Sequence, residues 1–196
     1  MRKSLQIVCV LAVMLLLTGC GSSSFEPSAS SLYIQKDGSI TEAIVESFAQ
    51  DYYSFDEFKS MVEKEIQTYN QNFEEEQVSI QSVELKNSAI YLLLDYPDVE
   101  AYSAYNELYC FQGTVEEALA EGLTFDMVFR DADYEDYDTV EVTAKSSNKV
   151  LVLRDECLVQ TESAIKYVSN NVEILSSRMA EVMPIDDEDE YAYIIY

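Results

Sequence analysis

The sequence contains no histidine and no tryptophan among its 196 residues. Without an imidazole the chain can form neither a Ser-His-Asp triad nor a Cys-His pair, and it cannot form a zinc site that needs histidine ligands. Without tryptophan it lacks the usual platform for sugar stacking. Because acidic residues are abundant, a pair of carboxylates could still act as acid and base. We expect no enzymatic activity and no catalytic residue, with a carboxylate-dependent hydrolase as the alternative.

Basic residues are also scarce. The chain has 12 lysines and arginines against 37 aspartates and glutamates, which gives a net charge of −25. Nucleic acids and anionic lipid surfaces would repel such a chain, so we expect no nucleic acid partner. A large negative charge favours solubility, and it also attracts cations or basic partners.

The longest apolar run lies at the start of the chain. It follows two basic residues and extends from about Ile7 to Leu17, which is too short to span a membrane but typical of a secretory signal. The run ends in the tetrapeptide "LTGC", in which the small residues Thr18 and Gly19 precede Cys20. We expect residues 1–19 to be a signal peptide that is cleaved between Gly19 and Cys20.

This tetrapeptide resembles the lipobox of bacterial prolipoproteins. The resemblance implies that the thiol of Cys20 receives a diacylglyceryl group and that Cys20 becomes the first residue of the mature chain. Two acyl chains hold a protein on a membrane far better than one, so the implied location is the extracytoplasmic face of the cell membrane. The alternative is an ordinary signal peptide with a cysteine near the cut.

The body of the chain, from "SLYIQKDGSITEAIVESF" to "YAYIIY", resembles short lipoproteins of Gram-positive gut anaerobes. That group has no assigned function, so the resemblance implies a location and no activity.

Three parts of the chain follow from this pattern. After the signal peptide, residues 20–30 are small and polar, which is typical of a flexible tether. Residues 31–196 then form one acidic domain, since a mature chain of 177 residues suffices for one core and not for two. Without Arg2 and Lys3 the mature chain keeps 10 basic residues against 37 acidic ones, a net charge of −27.

Turn and cap signals predict the elements of the first half of this domain. Asp37-Gly38 is typical of a two-residue hairpin turn, which predicts strands over 32–36 and 39–47. In that register one face carries Leu32, Ile34, Ala43 and Val45. The capping patterns "SFDE" and "TVEE" begin two helices, and Pro97-Asp98 precedes a third. The predicted helices cover about 55–70, about 99–109 and a short stretch that begins at Thr114 and ends at Gly122. The predicted strands cover 78–85 and 89–94. The second of these is expected to be a central strand that is covered on both faces.

Short β-favouring runs with close turns follow from Thr124 onward, which predicts an antiparallel meander. These runs are residues 125–129, 140–143, 149–153, 157–160, 165–168, 172–175 and 191–195. The predicted fold class is α+β: a curved antiparallel sheet, built from the N-terminal hairpin and the C-terminal meander, with about three helices packed on one side.

Two cysteines remain once Cys9 leaves with the signal peptide and Cys20 carries lipid. Cys110 and Cys157 either form a disulfide, which an oxidising exterior would permit, or stay as two free buried thiols. Both alternatives are open on the sequence.

The segment "RDADYEDYD" gathers acidic residues in a loop, and a hard cation such as Ca²⁺ prefers six to eight oxygen ligands. The candidate calcium ligands are Asp131, Asp133, Glu135 and Asp138. The EF-hand pattern fails, because Asp136 stands where it needs glycine and Val142 where it needs glutamate. A solvated acidic loop is the alternative, as it is for Asp186–Glu190, and we expect no other cofactor.

Tyrosine is the most unusual residue type that is present, with 15 copies. Tyrosine is favoured on binding surfaces, although it is also a good strand former. We therefore expect a non-catalytic module that binds an envelope protein, a polymer or a small ligand, with a carboxylate-dependent envelope hydrolase or a calcium-stabilised structural module as alternatives. A deep groove with two facing acids would favour the enzyme, and a shallow tyrosine-rich surface would favour the binding module.

Overall fold

The computed structural model describes residues 25, 27–50, 54–184 and 190–196. The predicted signal peptide and the predicted lipidation site Cys20 lie outside the described residues, as do Tyr52 and Tyr53 and most of Asp186–Glu190. No helix among the described residues is both long enough and apolar enough to cross a membrane.

The described chain forms four helices and thirteen strands. The helices are α1 (Phe55–Asn70), α2 (Val99–Asn106), α3 (Val115–Ala120) and α4 (Thr139–Thr143). The strands are β1 (Ser31–Ile34), β2 (Ile40–Ser47), β3 (Ser79–Lys86), β4 (Ala89–Tyr96), β5 (Cys110–Thr114), β6 (Phe129–Arg130), β7 (Asp136–Tyr137), β8 (Lys149–Leu153), β9 (Leu158–Thr161), β10 (Tyr167–Ser169), β11 (Val172–Ser176), β12 (Met179–Val182) and β13 (Ala192–Ile195).

The strands form two sheets. The first sheet has the order β11-β12-β9-β1-β2-β4-β3 and the second has the order β5-β8-β13-β10-β6-β7. Neighbouring strands are antiparallel except β1 and β9, which are parallel. The predicted α+β class is therefore confirmed. The C-terminal strands, which the turn spacing placed in one meander, are distributed over both sheets.

The second sheet is buried on both faces. Along β8, Leu151 and Leu153 belong to the main core, which they share with the inner face of the first sheet and with α1 and α2. Val150 and Val152 point the other way, into a smaller core with α3 and α4. The helices thus lie in two places rather than on one side of a single sheet.

The first hairpin has a register one residue away from the predicted one. Gly38 adopts a φ of 96°, and the amide of Gln35 donates to the carbonyl of Ser39 at 3.0 Å, which closes a three-residue loop instead of a two-residue one. Leu32 therefore lies opposite Glu42 and not Ala43. A shift of one residue moves every side chain of a strand to the other face, so Glu42 points inward.

Other predicted caps and turns are present. Ser54 accepts from the amide of Glu57 at the start of α1, and Thr114 forms a complete capping box with Glu117 at the start of α3. Both Asn87 and Ser88 have positive φ, which is the backbone of a tight hairpin turn between β3 and β4. In these segments the helix and turn that the local sequence favours are also the ones found in the folded chain.

Other predictions for individual elements are wrong. Residues 140–143 are helical, because Asp138 and Glu141 form a capping box that overrides the β-branched composition. The strand β4 is second from the edge of its sheet, and its alternate residues are buried on one face only. The strands β5, β7 and β12 were not predicted, and of residues 125–129 only Phe129 is in a strand.

Candidate functional site

A cleft of about 290 Å³ lies between the acidic loop and the outermost strand of the first sheet. We call it the acidic-loop cleft. Its lining includes Arg130, Asp131, Tyr134, Val172, Ile174 and Met183. These residues come from three separate segments of the chain, so the cleft exists only when the two sheets pack together.

The cleft joins apolar and polar surface. Val172 is buried and Ile174 is partly buried against the main core, while Met183 is 43% exposed at the other side. Arg130 donates a 2.9 Å hydrogen bond from Nε to Oδ1 of Asp136, so the charge of its guanidinium is balanced within the loop. The arrangement offers an apolar floor with an acidic rim.

Tyr134 stands out in this cleft. Its side chain is 69% exposed, and its backbone has a φ of 62°, in the left-handed region that disfavours residues with a Cβ. The loop holds this conformation through Asp131. Oδ1 of Asp131 accepts the amides of Asp133 (2.9 Å) and Glu135 (3.1 Å). An aromatic ring is thus presented to solvent by a well-bonded loop.

The same hydrogen bonds determine the titration of the loop. Partial desolvation raises the pKa of Asp131, but the hydrogen bonds from Glu135, Tyr137 and Asp133 outweigh this and lower the pKa. The Tyr137 hydroxyl donates to Oδ2 of Asp131 at 3.0 Å, and this bond together with desolvation raises the pKa of Tyr137 to about 12. Asp131 is therefore a charged structural anchor of the loop at neutral pH.

The four candidate calcium ligands do not come together. Asp138 caps α4 by accepting the amide of Glu141 at 2.9 Å, and Asp131 accepts hydrogen bonds from its own loop. The side chains of Asp133 and Glu135 are exposed. Among the described residues no three carboxylate or thiol side chains gather in a group that could hold a metal ion.

A second cluster of polar groups lies between α2 and the first sheet, with two buried tyrosines and three partly buried side chains. We call it the buried carboxyl cluster: Glu42, Tyr96, Tyr102, Asn106 and Asp155. Glu42 is its centre, because the observed register places it opposite Leu32 on one side and Leu94 on the other. Those leucines are 1% and 2% exposed, so the partly buried Glu42 lies among core residues on the inner face of the sheet.

Hydrogen bonds satisfy this cluster. The Tyr96 hydroxyl donates to Oε2 of Glu42 at 2.6 Å, and Nδ2 of Asn106 approaches the same oxygen at 3.5 Å and the Tyr96 hydroxyl at 3.3 Å. The Tyr102 hydroxyl donates to Oδ2 of Asp155 at 3.4 Å. Each acid therefore has a tyrosine as its hydrogen-bond partner.

Burial raises the pKa of Glu42, and the nearby charge of Asp155 adds to the rise, while the hydrogen bonds from Tyr96 and Asn106 oppose it. Burial also raises the pKa of Asp155. Both acids thus take up protons more readily in the folded chain than in water.

Cys110 and Cys157 border this cluster, and both thiols are free in the structure. Burial raises the pKa of Cys110 well above its usual value, with smaller contributions from Asp155 and Glu100. Burial likewise raises the pKa of Cys157, and the charges of Asp155 and Cys110 add to it. Cys110 is buried and Cys157 is partly buried.

Most of the other tyrosines lie in aromatic contacts of the core. Tyr96 and Tyr102 meet edge to face at 5.3 Å, and Tyr193 is 2% exposed. Tyr109 is 40% exposed but packs edge to face on Tyr191 at 4.9 Å. By contrast, Tyr134 is more exposed than any other large apolar or aromatic side chain of the described chain except Val140.

Sequence reasoning missed both the floor of the cleft and the buried carboxyl cluster. The signal for Glu42 was available: Asp-Gly is also compatible with a three-residue loop, in which glycine alone takes the positive φ. No local pattern links Val172 or Met183 to the acidic loop.

No protein-family model matches this chain, and neither the curated proteins nor the solved structures yield a match. The function must be inferred from the two sites themselves.

Proposed function

We propose that this protein is a non-catalytic binding module, anchored by a lipid on Cys20 to the extracytoplasmic face of the cell membrane. We further propose that the acidic-loop cleft binds another protein or polymer of the cell envelope. The observation that supports this most directly is Tyr134, whose ring is 69% exposed above an apolar floor and is held there by a left-handed backbone. Exposed aromatic side chains beside partly apolar surface are typical of binding sites.

The acids of the structure support binding rather than hydrolysis. In the cleft, both oxygens of Asp131 accept hydrogen bonds from the loop itself. In the buried carboxyl cluster, Glu42 and Asp155 are each hydrogen-bonded to a tyrosine of the fold. These partners give all three acids a structural role.

The experiment that tests the cleft is photo-crosslinking in intact cells. Tyr134 is replaced by a benzophenone amino acid in the full-length chain, and the same replacement at Met61 serves as the control, because Met61 is 56% exposed on α1. We expect a discrete crosslinked envelope component from position 134 and none from position 61. Equal crosslinking from both positions, or none from either, would refute the cleft as the binding site.

The anchor has its own test. Cys20→Ala removes the thiol that the lipid would modify, so the variant should appear in the medium or remain unprocessed. Fractionation of cells and mass spectrometry of the N-terminus measure this, with Cys157→Ala as a control that keeps the anchor. Normal membrane retention and processing of Cys20→Ala would refute the lipoprotein assignment.

A further inference from the structure

The strand β11 has a free edge that faces the acidic-loop cleft. It is the last strand of the first sheet, and among the described residues its only strand partner is β12. Val172 and Ile174 of this strand line the cleft. The direction of their backbone groups decides whether the edge can form hydrogen bonds.

Two backbone hydrogen bonds settle that direction. The amide of Val182 in β12 donates to the carbonyl of Cys157 at 3.0 Å, so Val182 directs its backbone groups away from β11. The amide of Met183 donates to the carbonyl of Asn171 at 2.9 Å. Because backbone groups alternate in direction along an antiparallel strand, Val172 and Ile174 turn their N–H and C=O groups toward the free edge.

Charge determines what this edge attracts. Glu173 of β11 lies directly opposite Glu181 of β12, and like charges at such positions destabilise a sheet. Neither carboxylate forms an ion pair with any lysine or arginine in the described parts of the chain. Arg130 is the cationic residue in the cleft lining, and it is paired with Asp136.

Building on the proposed function, we propose that the partner is an extended polypeptide segment rich in lysine or arginine, which adds to β11 as a further strand of the first sheet. Its backbone pairs with Val172 and Ile174. Side chains alternate between faces along a strand, so apolar residues of the segment meet the cleft and basic residues meet Glu173 and Glu181.

A second copy of this chain fits the same edge poorly. An antiparallel pair of β11 strands that sets Val172 of one copy opposite Ile174 of the other would bring the two copies of Glu173 together, and each mature chain carries a net charge of −27. The polypeptide partner is therefore a different and basic one.

The test uses a fluorescent peptide that alternates lysine with valine or threonine over seven residues, added to the purified full-length protein in nonionic detergent. Binding is measured by fluorescence anisotropy. Methylation of alternate peptide nitrogens on the pairing side should weaken binding by more than about tenfold, because it removes backbone hydrogen bonds and keeps the charge. A peptide with glutamate in place of lysine should not bind.

A matched pair of protein variants isolates the charge contribution. The double variant Glu173→Gln, Glu181→Gln should bind the lysine peptide at least about threefold more weakly. The control is Glu116→Gln, Glu121→Gln, which removes the same charge from exposed positions at α3 and should bind like the unmodified protein. A benzophenone on the central valine should label β11 or Tyr134 and not β3, the free strand at the other end of the sheet.

Three results would overturn the strand-addition proposal: insensitivity to N-methylation, equal loss in both double variants, or labelling of β3. If crosslinking from position 134 in cells still succeeds, these results leave the proposed binding function standing and exclude only a basic strand as its partner. Failure of both experiments would remove both proposals.

Discussion

The hydroxyl of Tyr96 donates a 2.6 Å hydrogen bond to Oε2 of Glu42, across two adjacent strands of the first sheet. Tyr96 is 1% exposed and Glu42 is partly buried, so the bond lies where access of water is reduced. An acid on the inner face of a sheet is thereby stabilised by a partner that the same sheet supplies. The bond compensates for the water that the carboxyl group of Glu42 loses among leucines and isoleucines.

Removal of the Tyr96 hydroxyl should therefore lower the stability of the fold. Tyr96→Phe leaves Glu42 with the long contact to Asn106, and we expect the free energy of unfolding to fall by about 1–3 kcal/mol at neutral pH. Urea denaturation measures this. The control is Tyr91→Phe on the same strand, whose ring lies on the opposite face, and which should change the free energy of unfolding little. Equal losses in the two variants would contradict the role of the hydrogen bond.

Glu42 should also make the stability depend on pH. Burial raises its pKa above the ordinary value of 4.5, so in a range above that value the folded chain binds a proton that the unfolded chain has released. Stability contributed by this group is present below that range and is lost as the pH rises through the folded pKa. Burial of Asp155, whose ordinary pKa is 3.8, acts in the same direction.

Glu42→Gln removes this proton uptake. As the pH is raised from about 4 to about 8, the free energy of unfolding of the variant should rise relative to that of the unmodified protein. Urea denaturation at several pH values measures it. The control is Glu46→Gln, which changes an exposed acid on the same strand. A difference for Glu42→Gln that stays constant with pH would argue against a raised pKa.

The backbone at Tyr134 should favour glycine. Tyr134→Gly and Tyr134→Ala both delete the exposed ring, but only glycine adopts a φ of 62° without strain. We expect the glycine variant to have a free energy of unfolding about 1 kcal/mol above that of the alanine variant. Thermal and urea denaturation of the two variants test this. A more stable alanine variant would show that the loop does not hold the left-handed conformation in solution.

The thiols of Cys110 and Cys157 should react slowly in the folded protein. Burial raises the pKa of both thiols, and only the thiolate is nucleophilic. With iodoacetamide near pH 8, we expect little labelling of either cysteine in the native chain and complete labelling of both in urea without reductant, measured by peptide mass spectrometry. Protection that persists in urea would instead indicate a disulfide.

Local signals in the sequence predicted the elements that depend on neighbouring residues. The bounds of α1 follow from the Ser54 cap and from apolar residues at helical spacing, both of which act within a few turns of chain. The same logic applies to α4, where the Asp138 and Glu141 cap was present but β-branched residues suggested a strand. A stronger weight on the cap would have predicted that helix.

The division of strands between two sheets could not be predicted in this way. The parallel pairing of β1 with β9 joins residues more than a hundred positions apart, and no turn signal encodes it. The acidic-loop cleft has the same origin, because Tyr134, Ile174 and Met183 meet only through the packing of both sheets.

The sequence by itself determined the acidity of this protein, its predicted leader with Cys20, its α+β class and its capped helices, because each of these depends on composition or on residues a few positions apart. The tertiary structure decided that Glu42 lies on the inner face of the first sheet and that β11, beside Tyr134, is the outermost strand of that sheet among the described residues. Both outcomes depend on strand register and strand order, which hydrogen bonds between distant segments select.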